Sequence, residues 1–357
     1  MTDFNDITRA SGPEGTRRAF DAAATVPKGR RPGPRLTTVS AADLDRIDFP
    51  EVVYVVPGYV SEGLTILAGK PKGGKSWLCL DLAVAVACGG YALGSVKVDE
   101  GDALYLALED NPRRLQRRQR QLLGARPAPA RLTFATECPS LDKGGLQAIE
   151  GWCQDVPNPR LIVVDVFAKV RPERREKDGL YEGDYKAIAP LKDLADRLGL
   201  AVVIVHHTSK RSDAADPFDT ISGTTGMTGA ADTVVILASS TEGPKLYGRG
   251  RDVEEFEKAL RFDRTTGQWL VLGDAGEVSQ SEERKAVLDL LAKAKEPMSP
   301  TAIAEALRKP AGAVRMLLGR MSEAGEIVKE ARGRYRHPNR WEQATPCDIG
   351  DKVTRED

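Results

Sequence analysis

From Val52 to about Gly273 short apolar runs alternate with amphipathic stretches: GLTILAG then SWLCLDLAVAVA, DALYLALED then PRRLQRRQRQLL, RLTFAT then GGLQAIEGWCQ, RLIVVDVF then DYKAIAPLKDLADRL, LAVVIVHH, and ADTVVILA. Continuous apolar, β-rich runs separated by helical repeats predict a mainly parallel sheet covered by helices on both faces, because a strand buried on both sides has no polar face to alternate. LYGRGR, ALRFDRTTG and QWLVLGD alternate instead, with Thr-Gly turn chemistry before the last. They predict an antiparallel extension of the same sheet. The expected fold class is therefore α/β.

The flanks read differently. Residues 1–45 mix Gly, Pro, Ser, Thr and Arg without an apolar period, which predicts a flexible leader ahead of a core over 46–275. After a Gly/Ser-containing joint at 273–281 the pattern becomes SEERKAVLDLLAKAKEPMSPTAIAEALRKPAGAVRMLLGRMSEAGEIVKEARGRYRHP. It predicts a smaller domain over 280–340, with helices near 282–293, 299–307 and 310–324 and a hairpin from Gly325 to Arg336, followed by a flexible tail over 341–357. Ser281 and Ser299 suit helix N-caps, and Pro300 suits a first helical position.

Composition narrows the classes. Of 357 residues 41% are hydrophobic and 29% charged, which is ordinary globular composition, and no apolar run reaches the roughly 18 residues of a membrane-spanning helix. Lys plus Arg equals Asp plus Glu at 52 each, so contact with a polyanion requires a local basic patch. One candidate is segment 112–131, with seven arginines (Arg113, Arg114, Arg117, Arg118, Arg120, Arg126, Arg131) and no acid. It reads as a solvated helix face or as a surface for nucleic-acid phosphate or a neighbouring subunit. Five scattered cysteines without a C-x-x-C pair, and the lack of a signal-peptide pattern, predict a cytoplasmic protein without a zinc site.

The chemistry concentrates at strand ends. Gly69-Lys70-Pro71-Lys72-Gly73-Gly74-Lys75-Ser76 fits G-x-x-x-x-G-K-[ST] between a strand and a helix, so these residues with Trp77 are expected to hold ATP. The backbone N–H groups would wrap the phosphates, Lys75 would reach the β- and γ-phosphates, and the Ser76 hydroxyl would bind Mg2+. LIVVD delivers Asp165 to the carboxyl edge of the sheet, where it would hold the metal. LYLAL delivers Glu109, on what reads as the strand next to the phosphate loop, as the base that orients the attacking water, with Asp110 as a helix cap. VVIVHH ends in His206 and His207, one of which would face the γ-phosphate, since successive strand side chains point to opposite faces. The small-residue-rich stretch Thr208–Gly229 reads as a long loop, either a mobile segment whose Lys210 and Arg211 would touch a polymer or an ordinary solvated connection. Arg249 and Arg251, at the end of a later strand, suit charge stabilisation in an adjoining subunit's site.

GKPKGGKS, LALEDNPRRLQRR, LIVVDVF, VIVHHTSK and GRGRD, in this order over Val52–Gly273, resemble the RecA-like ring ATPases, and within them the plasmid and phage replicative helicases of the RepA type. The resemblance implies a RecA-like P-loop NTPase core and a hexamer with ATP at its subunit interfaces. Lys75 and Ser76 would bind phosphate and Mg2+, Glu109 would be catalytic, Asp165 would lie on the metal side and His207 would sense the γ-phosphate. Arg251 would be the finger in trans and Arg249 its companion. The added C-terminal domain resembles a winged helix-turn-helix. In that logic the third helix would read a groove with Arg315 and Arg320, and 280–340 holds thirteen Lys/Arg against eight Asp/Glu; the other use of such a domain is protein docking. The activity expected is an ATP-driven DNA translocase or helicase on single strands, with duplex contact through the winged helix and no membrane. The alternative is an ATP-switched replication initiator or regulator that does not unwind DNA.

Overall fold

The computed structural model describes residues 38–49, 51–174, 179–208, 216–221, 225–240, 243–330 and 333–338. The chain divides into two compact units, Met1–Ala275 and Gly276–Asp357. Among the described residues no helix is long and apolar enough to cross a membrane.

Unit one is built on a nine-stranded sheet. Its strands are β1 (Gly63–Gly69), β2 (Asp102–Ala107), β3 (Leu132–Ala135), β4 (Pro159–Asp165), β5 (Ala201–His207), β6 (Thr233–Ser240), β7 (Gly243–Gly250), β8 (Phe256–Asp263) and β9 (Gln268–Asp274). The spatial order is β9-β8-β7-β6-β1-β5-β4-β2-β3. From β6 to β3 neighbours run parallel, and β6 through β9 pair antiparallel, the two patterns that the strand sequences encode. Helices α1 (Lys75–Cys88), α2 (Pro112–Leu123), α3 (Gly145–Asp155), α4 (Leu180–Leu198) and α5 (Thr225–Ala230) connect the strands.

Alternation along the strands separates two cores. Leu67, Ala103, Tyr105, Leu161, Val163, Val203 and Val205 face α1, whereas Leu64, Ile66, Leu104, Ile162, Val164, Val202 and Ile204 pack with Ile149, Ile188, Leu191 and Leu194 of α3 and α4. α1 is apolar on nearly every side, from Leu78 to Ala87, and such a helix must be covered all round. The sheet covers one side. The other is met by β9, where Trp269 is buried and Gln268 Nε2 donates to Asp81 Oδ1 on α1 at 3.3 Å.

Several sequence expectations need correction. Asn111, not Asp110, caps α2: its side chain accepts from the Arg114 N–H at 2.9 Å, while Asp110 takes ion pairs from Arg114 and Arg118. The strand carrying Glu109 is not spatially next to β1, since β5 and β4 lie between them. The stretch 208–229 is not loop throughout: Thr208 bridges to Ile221, Pro217–Thr220 form a 3-10 turn and α5 follows. Inside the expected leader, Ala41–Leu44 make one helical turn capped by Ser40. Residues 1–37, the tail 341–357, Lys210 and Arg211 lie outside the described residues.

Unit two contains α6 (Ala275–Lys293), α7 (Pro300–Leu307), α8 (Ala311–Glu323) and a two-stranded sheet pairing Val328–Lys329 with Tyr335–Arg336. Its own core gathers Val287, Leu291, Ile303, Val314, Leu318, Met321, Ile327 and Tyr335. Ser299 caps α7, accepting from the Ala302 N–H at 3.2 Å. Ser281 is no cap, because α6 already begins at Ala275 inside the expected joint, and of the residues from there to Ser281 only Gly276 strongly disfavours a helix.

Candidate active site

The site lies where β1, β2, β4 and β5 end. Chain leaving β1 turns through residues 70–74 into α1; Lys72 (φ 60) and Gly74 (φ 94) take left-handed conformations, and the Gly73 N–H donates to the Lys70 carbonyl at 3.1 Å. Two glycines are dictated by their surroundings. A Cβ on Gly69 would stand 2.6 Å from the Leu237 carbonyl oxygen, and one on Gly74 would stand 2.7 Å from the Trp269 ring, both too close to fit. The Gly74 carbonyl accepts the first α1 N–H bonds from Trp77 and Leu78 at 3.1 Å, and the Trp269 indole N–H at 3.1 Å.

Lys75 is folded into this loop. It is 4% exposed, and Nζ donates to the carbonyls of Gly69 at 2.7 Å and Lys70 at 2.9 Å. Burial pulls its pKa down, opposed by the nearby charges of Asp165 and Glu109. Nζ also lies 3.3 Å from His207 Nδ1. An ammonium can only donate, so Nδ1 accepts and the ring proton sits on Nε2.

Strand parity explains the grouping. Tyr105, Asp165 and His207 stand at odd positions whose neighbours Ala103, Val163 and Val205 face α1, so all three point to the side carrying the loop. In register, His207 is opposite Gly69 and Asp165 opposite Ala107. Asp165 is 7% exposed and accepts the Tyr105 hydroxyl at 2.7 Å on Oδ2. Burial and that carboxylate push the Tyr105 phenol far above its ordinary range, which keeps it a donor. Glu109 follows β2 on an exposed turn, and the Leu108 N–H just before it donates to the Asp165 carbonyl at 2.7 Å. Ser76, Asp165 and Glu109 are hard oxygen donors, the kind that holds Mg2+ beside substrate phosphates with one or two protein ligands. Among the described residues no three His, Cys, Asp or Glu cluster as a metal cage.

Trp77 is half-buried beside the loop, its ring tilted against Phe262 and covered by the Arg118 guanidinium at 5.3 Å. Phe262 in turn contacts Trp269 at 5.0 Å. Trp269 is the residue that the sequence reading passes over. Its strand lies four lanes from β1, and only the wrapping of β8–β9 over α1 brings it to the loop.

Arg249 and Arg251 belong to the other rim. Gly250 pairs with Thr233 at the start of β6, and Thr233 with Thr65 near the start of β1, whereas the loop leaves from the end of β1. There Arg251 pairs with Asp232 at 3.3 Å, and Asp232 also accepts from Lys192 at 2.8 Å and the Leu64 N–H at 2.9 Å. Arg249 pairs with Asp216 and Glu255 and stacks on Phe218 at 4.3 Å. Arg249, Arg251, Asp232, Phe218 and Asp219 line a cavity of about 480 Å³. Arg249 and Arg251 thus stand at the opposite end of the parallel strands from the loop.

A family model described as an AAA domain matches residues 30–213, more than half of the chain, and spans the loop, Glu109, Asp165 and His207. The chain belongs to the AAA domain family. No curated protein matches it. Among solved structures this AAA domain protein is similar to an ATPase domain determined on its own, at 14% identity and a TM-score of 0.49 over 59% of this chain and 85% of that one. It is also similar to a DnaB-like replicative helicase, whose structure was described together with its interactions with primase, at 14% identity and a TM-score of 0.50. The latter match covers 64% of this chain and 66% of that chain. At that identity the likeness is one of fold, and the fold is the RecA-like P-loop ATPase core. The family match ends before Arg249, Arg251 and Trp269.

Proposed function

We propose that this AAA domain protein is an ATP-hydrolysing, ring-forming DNA translocase or helicase of the RepA type, serving replication of a plasmid, phage or integrated element. The observation that carries the reading is the split of charged chemistry between the two rims of one sheet. Lys75, Asp165, Glu109 and His207 gather at one rim; Arg249 and Arg251 stand at the other. Two copies stacked head to tail, as in a hexamer, join these halves.

In this reading the loop N–H groups and Lys75 neutralise the phosphates, and Ser76 with Asp165 holds Mg2+, which draws charge from the β- and γ-oxygens. Glu109 orients the attacking water, and the His207 Nε2–H donates to the γ-phosphate, its ring set by Lys75. Arg251 of the next copy, assisted by Arg249, stabilises the transferring group, an effect worth about 10³–10⁵ in rate. Its 60% exposed side chain leaves it presentable to that neighbour. The segment containing Lys210 and Arg211 continues from His207, so loss of the γ-phosphate has a direct covalent route to it. Unit two serves as a winged helix-turn-helix for DNA, with Arg315 and Arg320 exposed on α8 on either side of the stripe formed by the buried Val314, Leu318 and Met321.

Hydrolysis rates with single-stranded DNA, with duplex and with neither, beside a strand-displacement assay, test the proposal. Stimulation by single strands with unwinding supports it. Site-specific duplex footprints without unwinding favour the nucleotide-switched regulator instead.

A further inference from the structure

The seven arginines of 112–131 sort into two groups. Arg114 and Arg118 pair with Asp110 at 2.9 and 2.6 Å. Arg131 pairs with Asp102 at 3.1 Å, and Arg126 donates to the carbonyls of Leu122 and Leu123. Arg113, Arg117 and Arg120 are exposed and enter no ion pair among the described residues.

Their spacing is i, i+4, i+7 on α2, which places the three residues in one stripe opposite the buried Leu115 and Leu122, with neighbouring Cβ atoms about 5–6 Å apart. Two physical costs follow. Like charges at this spacing weaken a helix by a few tenths of a kcal/mol per pair. Arg113 in addition sits in the first turn, where the helix dipole disfavours a cation and no acid compensates it. Glutamine, which this helix already uses at 116, 119 and 121, would carry neither cost. The stripe is a row of planar donors spaced by the helix backbone, suited to successive anionic groups along a strand.

We infer that Arg113, Arg117 and Arg120 form a docking track for the phosphate backbone of DNA on the outer face of α2, independent of the loop after His207 and of α8. This rests on the reading that the protein handles DNA. The track reads charge alone, so it is indifferent to base sequence and sensitive to salt.

The test is the affinity of the full chain for fluorescein-labelled oligo-dT and for a mixed-sequence duplex, measured across a salt series by anisotropy. Triple variants R113Q/R117Q/R120Q and R113K/R117K/R120K are compared with wild type. The glutamine variant is expected to lose about 2 from the log–log salt slope on single strands, at about 0.7 per phosphate contact, and the lysine variant to keep most of it. Basal hydrolysis without DNA stays at the wild-type rate and thermal stability does not fall. An unchanged slope and affinity in the glutamine variant overturns the track while leaving the DNA reading intact. Failure of wild type to bind either oligonucleotide overturns both.

Discussion

The Trp269 indole N–H donates to the Gly74 carbonyl, and its ring occupies the space that any side chain at 74 would need. The phosphate loop is thus held from two directions: from below by the end of β1, and from above by a strand that lies four lanes away in the sheet.

Removing only the hydrogen bond should loosen the loop without emptying the core. Trp269→Phe is expected to raise the Kd for a fluorescent ATP analogue about fivefold, the equivalent of about 1 kcal/mol. Trp269→Ala, which leaves a void beside Phe262, should in addition lower unfolding free energy by about 3–5 kcal/mol. Wild-type affinity in the Phe variant would show that the contact fixes the fold and not the site.

Tyr105 holds the buried Asp165 carboxylate through its hydroxyl. Tyr105→Phe keeps the ring that packs on Phe134 and deletes the donor. The Mg2+ concentration for half-maximal hydrolysis should rise about tenfold, as expected for losing a hydrogen bond to a charged group. An unchanged metal requirement assigns Tyr105 to packing alone.

Asp81 is 2% exposed inside α1, and burial raises its pKa from 3.8 to about 6. The folded state then holds a proton that the unfolded state has released between those values, so stability falls as pH rises from about 4 to about 6 and levels off above. At about 1.4 kcal/mol per pH unit the contribution approaches 3 kcal/mol. Asp81→Asn should lack this component, so melting curves of variant and wild type are expected to diverge in the variant's favour as pH rises through the window. A constant difference across it would contradict the assignment.

Much of this arrangement was legible in the sequence because it depends on local period and strand parity. The apolar runs ending in Asp165 and His207 specify buried strands, and alternation puts both side chains on the α1 face. What stayed hidden depends on lateral order, which period does not encode. Glu109 reads as next to the phosphate loop and is three lanes from it, yet it still acts on Lys75. Trp269 reads as a hairpin residue, and only the wrap of the antiparallel strands brings it to Gly74. The cap of α2 lies one residue beyond the one that the sequence suggests, because Asp110 and Asn111 are both good caps and ion pairs with Arg114 and Arg118 engage the aspartate.

The proposed completion of one copy's site by Arg251 of the next predicts complementation between defective copies. Lys75→Ala removes the loop's cation and Arg251→Ala the neighbour's. Each alone is expected to lose at least about a hundredfold in hydrolysis, and mixtures should regain part of it, because some interfaces pair an intact loop with an intact arginine. Absence of rescue at every ratio would count against a site shared between subunits.

In the proposed reaction at these strand ends, Glu109 orients the water that attacks ATP. Glu109→Gln keeps the side chain's size and removes its basicity, so ATP binding and turnover should separate. Binding is expected to stay within about twofold of wild type, with hydrolysis reduced by at least about 10². Wild-type turnover in this variant would contradict that role.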